Sequence, residues 1–504
     1  MSVTIFYDGH ISIFVYKERE GRMSDSRPRF TFDGGIHPGN RNNKDISKDK
    51  PIKDVLPKGD LVYPVSQHIG APAKPVVNVG DKVKAGQLIA EAGGFVSANI
   101  YATVSGTVKA IEKHRVPVGD MVMSVIVEND GLYEEVEYPE AKPLDEIGKD
   151  EIIAAVKNAG IVGMGGAGFP THVKLSPKDP SKIDYVIGNC AECEPYLTSD
   201  YRRMMENPEL VIGGMKCVLK LFDNAKGIIA IEDNKPDAIE LLTKLTKDEP
   251  RIDVYALKTK YPQGSERHII YACTGRAINS KMLPADAGCI VDNCDTLVAI
   301  HEAVTKNIPL MYRIVTVTGD AVKDPRNFKV RCGTNYKELI EEAGGFVTEP
   351  GCVISGGPMM GFSLFDLDVP VTKTSSALLC MKYDEAANAV ESACINCGRC
   401  VSACPEKLIP SQLATYSEFE DYEAFNKLFG KECIECGSCS YVCPAKRQLA
   451  QSIKSMKKLS IGRDRAMAAA EKAKAEAKAK AEEEAKAKAE EEAKAKEEKK
   501  GGEE

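Results

Sequence analysis

Between residues 59 and 128 the chain is built of short β-branched runs broken by glycine, PVVNVGDKVKAGQLIAEA and then VSANIYATVSGTVKAIE. Apolar runs of this length with turn residues between them predict a small β-barrel or sandwich. The pattern changes over residues 146–310. Ile152, Ala155 and Val156 fall on one helical face, residues 184–188 and 227–231 read as buried strands, and residues 236–247 read as a helix. Alternation of this kind predicts an α/β domain on a largely parallel sheet. Residues 312–319, 327–330 and 336–343 then read strand, strand, helix. Farther on, Leu413, Tyr416, Phe419, Ala424 and Leu428 recur at close to helical spacing. From about Ala466 the chain is almost pure Ala, Lys and Glu. Pairs such as Glu482/Lys486 and Glu490/Lys494 support a solvated helix there, and the lack of an apolar seam argues against a coiled coil.

These elements imply a multidomain α/β plus β protein. The two halves of the β-rich region resemble the barrel-sandwich hybrid fold of biotinyl and lipoyl carriers. A carrier needs a lysine on the hairpin between the halves, and from Ala85 to Val108 there is none. The fold is therefore expected without the carrier function. The strand–strand–helix order after residue 311 resembles a β-grasp module of the soluble-ligand-binding (SLBB) type, suited to binding or to docking. The expected divisions are a lead-in at 1–58, the barrel-sandwich hybrid at 59–135 and a Rossmann-like α/β domain at 136–310. The β-grasp domain follows at 311–372, an α-helical domain at 373–460 and the solvated Ala/Lys/Glu tail at 461–504.

Composition narrows the class. A 504-residue chain is long enough for three or four domains. A net charge of −7 with pI near 5.8 makes no electrostatic case for nucleic acid. No stretch approaches the ~18 continuous apolar residues of a membrane span. The opening MSVTIFYDGHISIFVYKERE is interrupted by Asp8, Gly9 and His10 and lacks a signal peptide's basic start and cleavage site. Residues 1–22 read as a peripheral extension or a mis-called start ahead of Met23.

Of seventeen cysteines, eight form two runs. Cys394, Cys397, Cys400 and Cys404 precede Pro405, and Cys433, Cys436, Cys439 and Cys443 precede Pro444. This repeated C-x2-C-x2-C-x3-C-P is the two-cluster bacterial ferredoxin signature, in which the fourth cysteine ligates the other cluster. Cys394, Cys397, Cys400 and Cys443 are thus expected to hold one [4Fe-4S] cluster, and Cys404, Cys433, Cys436 and Cys439 the second. Zinc, the alternative, needs four ligands per ion and does not explain the doubled third cysteine or the C-P ending. Clusters belong in a reducing compartment, which favours the cytoplasm. The remaining nine cysteines, from Cys190 to Cys380, read mostly as small core residues.

The second chemical signal is the loop GMGGAGFPTHVK at 163–174, with G-x-G-x-x-G at Gly163, Gly165 and Gly168. It follows a predicted helix instead of a strand and lacks the Gly-Lys-Ser/Thr of a Walker loop. Glycines ahead of a helix start, with Lys174 beyond, suit a phosphate, whereas a tight structural turn is the plainer alternative. Later blocks are NCAECEPYLTSDYR at 189–202, YPQGSE at 261–266 and DNCDTL at 292–297. In this order the blocks resemble the FMN- and NADH-binding subunit of respiratory complex I. That resemblance implies FMN contacts at Gly163, Gly165, Gly166, Gly168, Lys174, Asn189, Glu192, Asp292, Asn293 and Thr296. It implies NAD contacts at Phe169, Glu194 and Glu266. Met164, Ala191 and Ser265 depart from that pattern, standing for an arginine, an acidic residue and a glutamate. The doubled cysteine run departs too, since the complex I protein has a single cluster motif there.

With the N-terminal barrel, GGPMMG at 356–361 and PVTKT at 370–374, the whole set resembles the RnfC family of the Rnf complex, an ion-translocating ferredoxin:NAD+ oxidoreductase, over roughly residues 25–455. That family implies a peripheral subunit on the cytoplasmic face of the cell membrane, with non-covalent FMN and NAD(H) as substrate. Its implied partners are integral membrane and other iron–sulfur or flavin subunits, and ferredoxin indirectly. Hydride transfer at a flavin requires no side-chain acid or base, so the residues named are positioning groups. A soluble flavin/iron–sulfur reductase such as a cobalamin reductase is the nearest alternative reading. A non-enzymatic relay protein is the second.

Overall fold

The glycine-punctuated runs close into two small sheets in the computed structural model, which describes residues 2–7, 10–15 and 29–500. One sheet takes Leu61–Pro64, Met121–Asn129, Gly106–Arg115 and Lys82–Val83 in that order, the other Lys74–Pro75, Leu88–Glu91 and Ile100–Tyr101. Leu61, Tyr63, Ile89, Ile100, Val108 and Val125 fill the space between them. The hairpin tip, where a carrier bears its lysine, carries Gly93, Gly94 and an exposed Phe95. Ahead of this domain, Ser2–Tyr7 and His10–Val15 pair as an antiparallel ribbon.

The α/β domain holds a four-stranded, wholly parallel sheet in the order Ile252–Leu257, Lys226–Glu232, Tyr185–Cys190, Cys289–Asn293. Side chains alternate along each strand. Val186, Ile229, Ile231 and Ile290 face the helices Lys149–Asn158, Pro208–Leu221 and Cys294–Lys306. Ile187, Ile228, Ala230 and Val291 face the helix Glu266–Thr274 on the other side. Gly214 lets Pro208–Leu221 cross Cys294–Lys306 closely, since a β-carbon there would lie 1.9 Å from the Leu297 carbonyl oxygen. The chain winds outward from Tyr185–Cys190 through two strands and then returns to its opposite side with Cys289–Asn293. Between those two strands lies a topological switch point, where open α/β sheets bind ligands beyond the strand carboxyl ends.

The β-grasp region is a six-stranded sheet: Phe362–Leu364, Cys352–Ser355, Ala377–Met381, Tyr312–Thr318, Arg326–Arg331 and Lys53–Val55. Helix Tyr336–Glu342 packs on it through Tyr336, Leu339 and Ile340. This sheet crosses the boundary expected at 372/373, because Ala377–Met381 is one of its inner strands. It also recruits Lys53–Val55 from the lead-in as a parallel edge. The cores of these regions lie within residues 1–391, one of two compact units.

The second unit, 392–504, is helical as expected. Short helices Arg399–Ala403, Pro410–Glu418, Tyr422–Lys427 and Ser438–Tyr441 surround the cysteine runs. Leu413, Phe425, Leu449, Ile453 and Met456 form the core. The last helix, Leu449–Lys500, starts in that core and continues through the Ala/Lys/Glu segment. Its described surface pairs run Lys to Glu, Lys472–Glu476 and Lys478–Glu482. The Glu490 and Lys494 side chains lie outside the described residues.

Candidate functional site

Asn189, Asp292 and Asn293 end the two strands at the switch point, so the sheet itself aims them at one place. The glycine loop reaches the same place from the side. Its ends are pinned by Gly163 N–H donating to the Phe169 carbonyl (2.8 Å), and its middle by Met164 N–H donating to Thr296 Oγ1 (3.0 Å). Gly165 sits against Asn293, where a β-carbon would come within 3.0 Å, while Gly166 faces open space. Gly168, at φ +72°, packs under Gln67, His68 and Thr374. Asn293 caps the helix Cys294–Lys306 by accepting from Asp295 N–H. Partly unsatisfied N–H groups at the start of a 13-residue helix therefore lie beside the glycine loop.

Lys174 closes this side. Its Nζ donates to the Val291 carbonyl (2.6 Å) and lies 3.3 Å from Asp292 Oδ1. Glu266, exposed at the start of its helix, lies in electrostatic range of both. Asn293 Nδ2 donates to Asp200 Oδ2 (2.8 Å), and Asp200 N–H to Glu192 Oε1 (2.7 Å). Asn189 Nδ2 donates to the Gly264 carbonyl (2.7 Å). The structure thus brings together Gly163, Gly165, Gly166, Lys174, Asn189, Glu192, Asp292, Asn293 and Glu266. Thr296 acts from beneath, through the loop. Phe169 is half-buried at the loop's base, its carbonyl closing the turn. Glu194 is engaged elsewhere in the same neighbourhood: its Oε1 accepts from Met359 and Met360 N–H of the β-grasp loop (2.6 and 3.2 Å).

Two features show that this site fits a polar ligand. Both oxygens of fully buried Asp292, Oε2 of Glu192 and both amide atoms of fully buried Gln263 make no hydrogen bond. Such groups are normally paired, and leaving one unpaired costs about 1–3 kcal/mol. A molecule carrying hydroxyl and amide groups satisfies acceptors and donors of this kind, as a ribityl-linked flavin does. The second feature is charge. Beneath the loop, Asp295 pairs with Arg203 (2.9 Å) and with Arg313, and Arg313 Nη1 also reaches Met164 Sδ (2.7 Å). Burial pushes the Asp295 carboxyl up, but the two guanidiniums outweigh it and hold it below the usual range. Two cations on one carboxylate leave a positive charge under a loop whose own position 164 holds methionine.

Sequence reasoning missed Arg313, Arg203 and Lys44, none of which lies in a motif block, and gave no role to Asp295 inside the 292–297 block. Asp200 lay inside the 189–202 block without a role. Burial, then Glu192 and Asp295, push its carboxyl up to about 7. Burial likewise pushes Glu194 up to about 7.

In the helical unit the cysteine runs repeat their backbone as well as their spacing. Asn396, Gly398 and Lys407 adopt positive φ (55°, 72°, 58°), and so do Glu435, Gly437 and Lys446 at the matching positions (61°, 75°, 54°). The left-handed turns aim N–H groups at sulfur: Asn396 to Cys394 (3.4 Å), Glu435 to Cys433 (3.4 Å). Leu408 N–H likewise points at Cys404 (3.3 Å). Cys404 feels Cys436 and Cys433, and Cys439 feels Cys433, Cys436 and Cys404. Those four are the set expected for the second cluster.

Comparison with known proteins covers both sites. Residues 30–132 match the RnfC barrel sandwich hybrid domain, 156–302 the Nuo51 FMN-binding domain, 314–363 the SLBB domain and 393–447 the 4Fe-4S dicluster domain. The chain is 46% identical over 450 residues to the C component of the proton-translocating ferredoxin:NAD(+) oxidoreductase complex of Clostridium ljungdahlii, covering 88% of this chain and 96% of the relative. It is 46% identical over 438 residues to the C component of the Na(+)-translocating ferredoxin:NAD(+) oxidoreductase complex of Acetobacterium woodii, covering 86% and 98%. A solved NAD+-reducing [NiFe]-hydrogenase in the air-oxidized state aligns at TM-score 0.43 and 20% identity over 58% of this chain and 60% of that one.

Proposed function

The chain belongs to the RnfC family, the C components of ion-translocating ferredoxin:NAD+ oxidoreductase complexes, and from that premise we propose how its residues divide the work. It is the NAD(H)-linked electron-transfer subunit of such a complex, with an FMN-binding domain and a domain for two [4Fe-4S] clusters. Membership sets aside the soluble-reductase and non-enzymatic alternatives. Bound FMN supplies the exchange between a hydride's electron pair and the single electrons that clusters carry.

The glycine-loop N–H groups at Gly165 and Gly166, the start of helix Cys294–Lys306 and Lys174 hold the flavin phosphate. Asp292 and Glu192 accept from ribityl hydroxyls, and Asn189 with Asn293 fixes the strand ends around them. Arg313 and Arg203 keep the floor of the loop positive. Glu266, Glu194 and Phe169 line the nucleotide approach. No side chain serves as acid or base. Cys394, Cys397, Cys400 and Cys443 hold one cluster, and Cys404, Cys433, Cys436 and Cys439 the other. Among the described residues no helix is long and apolar enough to cross a membrane, and we place the protein peripherally on the cytoplasmic face. Its direct partners are the integral membrane and iron–sulfur or flavin subunits, with ferredoxin reached through them.

The observation that carries the flavin assignment is the set of buried oxygens of Asp292 and Glu192 that accept no hydrogen bond, beside an open glycine loop and Lys174. Lys174→Ala should weaken FMN binding at least tenfold, about 1.4 kcal/mol, while iron per chain stays constant. Equal FMN retention in this variant and the parent would refute the phosphate role. Recovery of the chain with integral membrane subunits from solubilised membranes checks the placement, and its absence from them would overturn it.

A further inference from the structure

The lead-in segment runs directly over the site loops. Ile36 pairs with Tyr261 through two 2.8 Å backbone bonds, Tyr196 N–H donates to the Asn42 carbonyl (2.8 Å), and Ser47 Oγ lies 2.8 Å from Thr198 Oγ1. Between these anchors Lys44 turns inward and is 9% exposed. Its Nζ donates to the Glu194 carbonyl (3.0 Å) and to the Leu197 carbonyl, and stands 3.7 Å from Glu192 Oε2. At the other end of the same loop, Lys235 Nζ donates to the Ala191 carbonyl (2.8 Å).

The loop clamped by these two ammonium groups is not relaxed. Glu192 and Tyr196 both adopt left-handed backbone, at φ +49° and +69°. Non-glycine residues hold that conformation only where their surroundings over-determine it. The ammonium of Lys44 is the group whose bonds reach both halves of the loop at once, and Glu192 Oε2 has no hydrogen bond of its own. Burial lowers the Lys44 ammonium and Glu192 opposes that shift, so the carboxylate helps keep the lysine charged.

We propose that Lys44 is a positioning residue for NAD(H) oxidation and reduction: it holds residues 191–197 in the strained shape that presents Glu192 and Glu194, and sets a positive charge behind the flavin. This rests on the flavin and nucleotide reading given above. Lys44 touches neither cofactor nor substrate in this role and acts through the loop. Its distance along the chain from that loop puts it outside every motif of the site.

Full-length chain with clusters and FMN, carrying Lys44→Met or Lys44→Arg, tests this. Lys44→Met keeps length and removes charge and donors, whereas Lys44→Arg keeps the charge. Expected for Lys44→Met are unchanged iron per chain, a KM for NADH raised tenfold or more with a smaller change in kcat, and a flavin potential shifted downward. Lys44→Arg should recover most of the potential and part of the KM. A purely structural lysine would alter stability without separating KM from kcat or moving the potential. Unchanged KM and potential in Lys44→Met would overturn the proposal. Should that variant fail to fold, Lys44→Gln, which also removes the charge, with parental KM and potential would overturn it. A parent chain without FMN would instead refute the site reading, and the lysine's role with it.

Discussion

The two cofactor regions of this chain are built on opposite plans. The proposed cluster ligands come from two short stretches, 394–404 and 433–443, and each stretch bends its own backbone to point N–H groups at its own sulfurs. The proposed flavin site draws on the glycine loop, two strand ends, a helix start, a β-grasp strand and the lead-in, with partners such as Lys44 and Leu197 153 residues apart. A local site depends on its cofactor for order. A distributed one depends on the fold, and its defects spread through the fold.

The sharpest break of that comparison is in the clusters. Cys404→Ser should remove roughly half the iron, about four atoms per chain, and leave FMN per chain unchanged. Cys404 is 8% exposed in the core with Leu408, Leu413 and Phe425, so the helical unit should also lose stability. Iron and reduced-state EPR measure the first effect and urea unfolding the second. Loss of FMN alongside iron would show that the regions are not independent in the way their construction implies.

The same difference explains what was legible in the sequence. Repeated spacing pointed to the eight cysteines proposed as cluster ligands, because tetrahedral thiolate chemistry constrains neighbours in the chain. The barrel and the parallel sheet followed from apolar periodicity, and Asn189, Asp292 and Asn293 from blocks in a familiar order. The pairing of Arg313 with Asp295 was silent, since a buried ion pair between a β-grasp strand and a helix start leaves no local pattern. Lys53–Val55 and Ala377–Met381 were missed as parts of the β-grasp sheet because a short strand takes its place from its neighbours. The loop at 163–168 read ambiguously for a definite reason: it follows helix Lys149–Asn158, and only the fold carries it to a strand end.

A smaller effect separates the regions by pH. The carboxyls of Asp200 and Glu194 take up protons near pH 7 in the folded chain, against 3.8 and 4.5 ordinarily. Between those values the folded state binds more protons than the unfolded one, so stability falls as pH rises toward and past 7. Flavin-free chain should therefore unfold at higher urea at pH 6 than at pH 8, by on the order of 1–3 kcal/mol. Asp200→Asn should flatten that dependence. A steeper fall toward low pH in the parent would contradict the burial that raises these carboxyls.

The smallest effect belongs to the helix end. Ser460 and Met456 are the last strongly buried residues of Leu449–Lys500, and Arg463 still lies over the Tyr422 ring at 4.1 Å. Beyond Met467 the described side chains are exposed, and exposed i,i+4 pairs such as Lys472–Glu476 contribute about 0.3–0.5 kcal/mol each to the helix alone. Ala, Lys and Glu are strong helix formers, so this segment needs no packing to stay helical. It also gives none back to the core. Ending the chain after Met467 should leave iron, FMN and NADH oxidation at parental levels and change unfolding free energy by less than about 0.5 kcal/mol. A larger destabilisation would mean that the solvated segment supports the cluster core through the shared helix. The local plan would then extend well past its ligands.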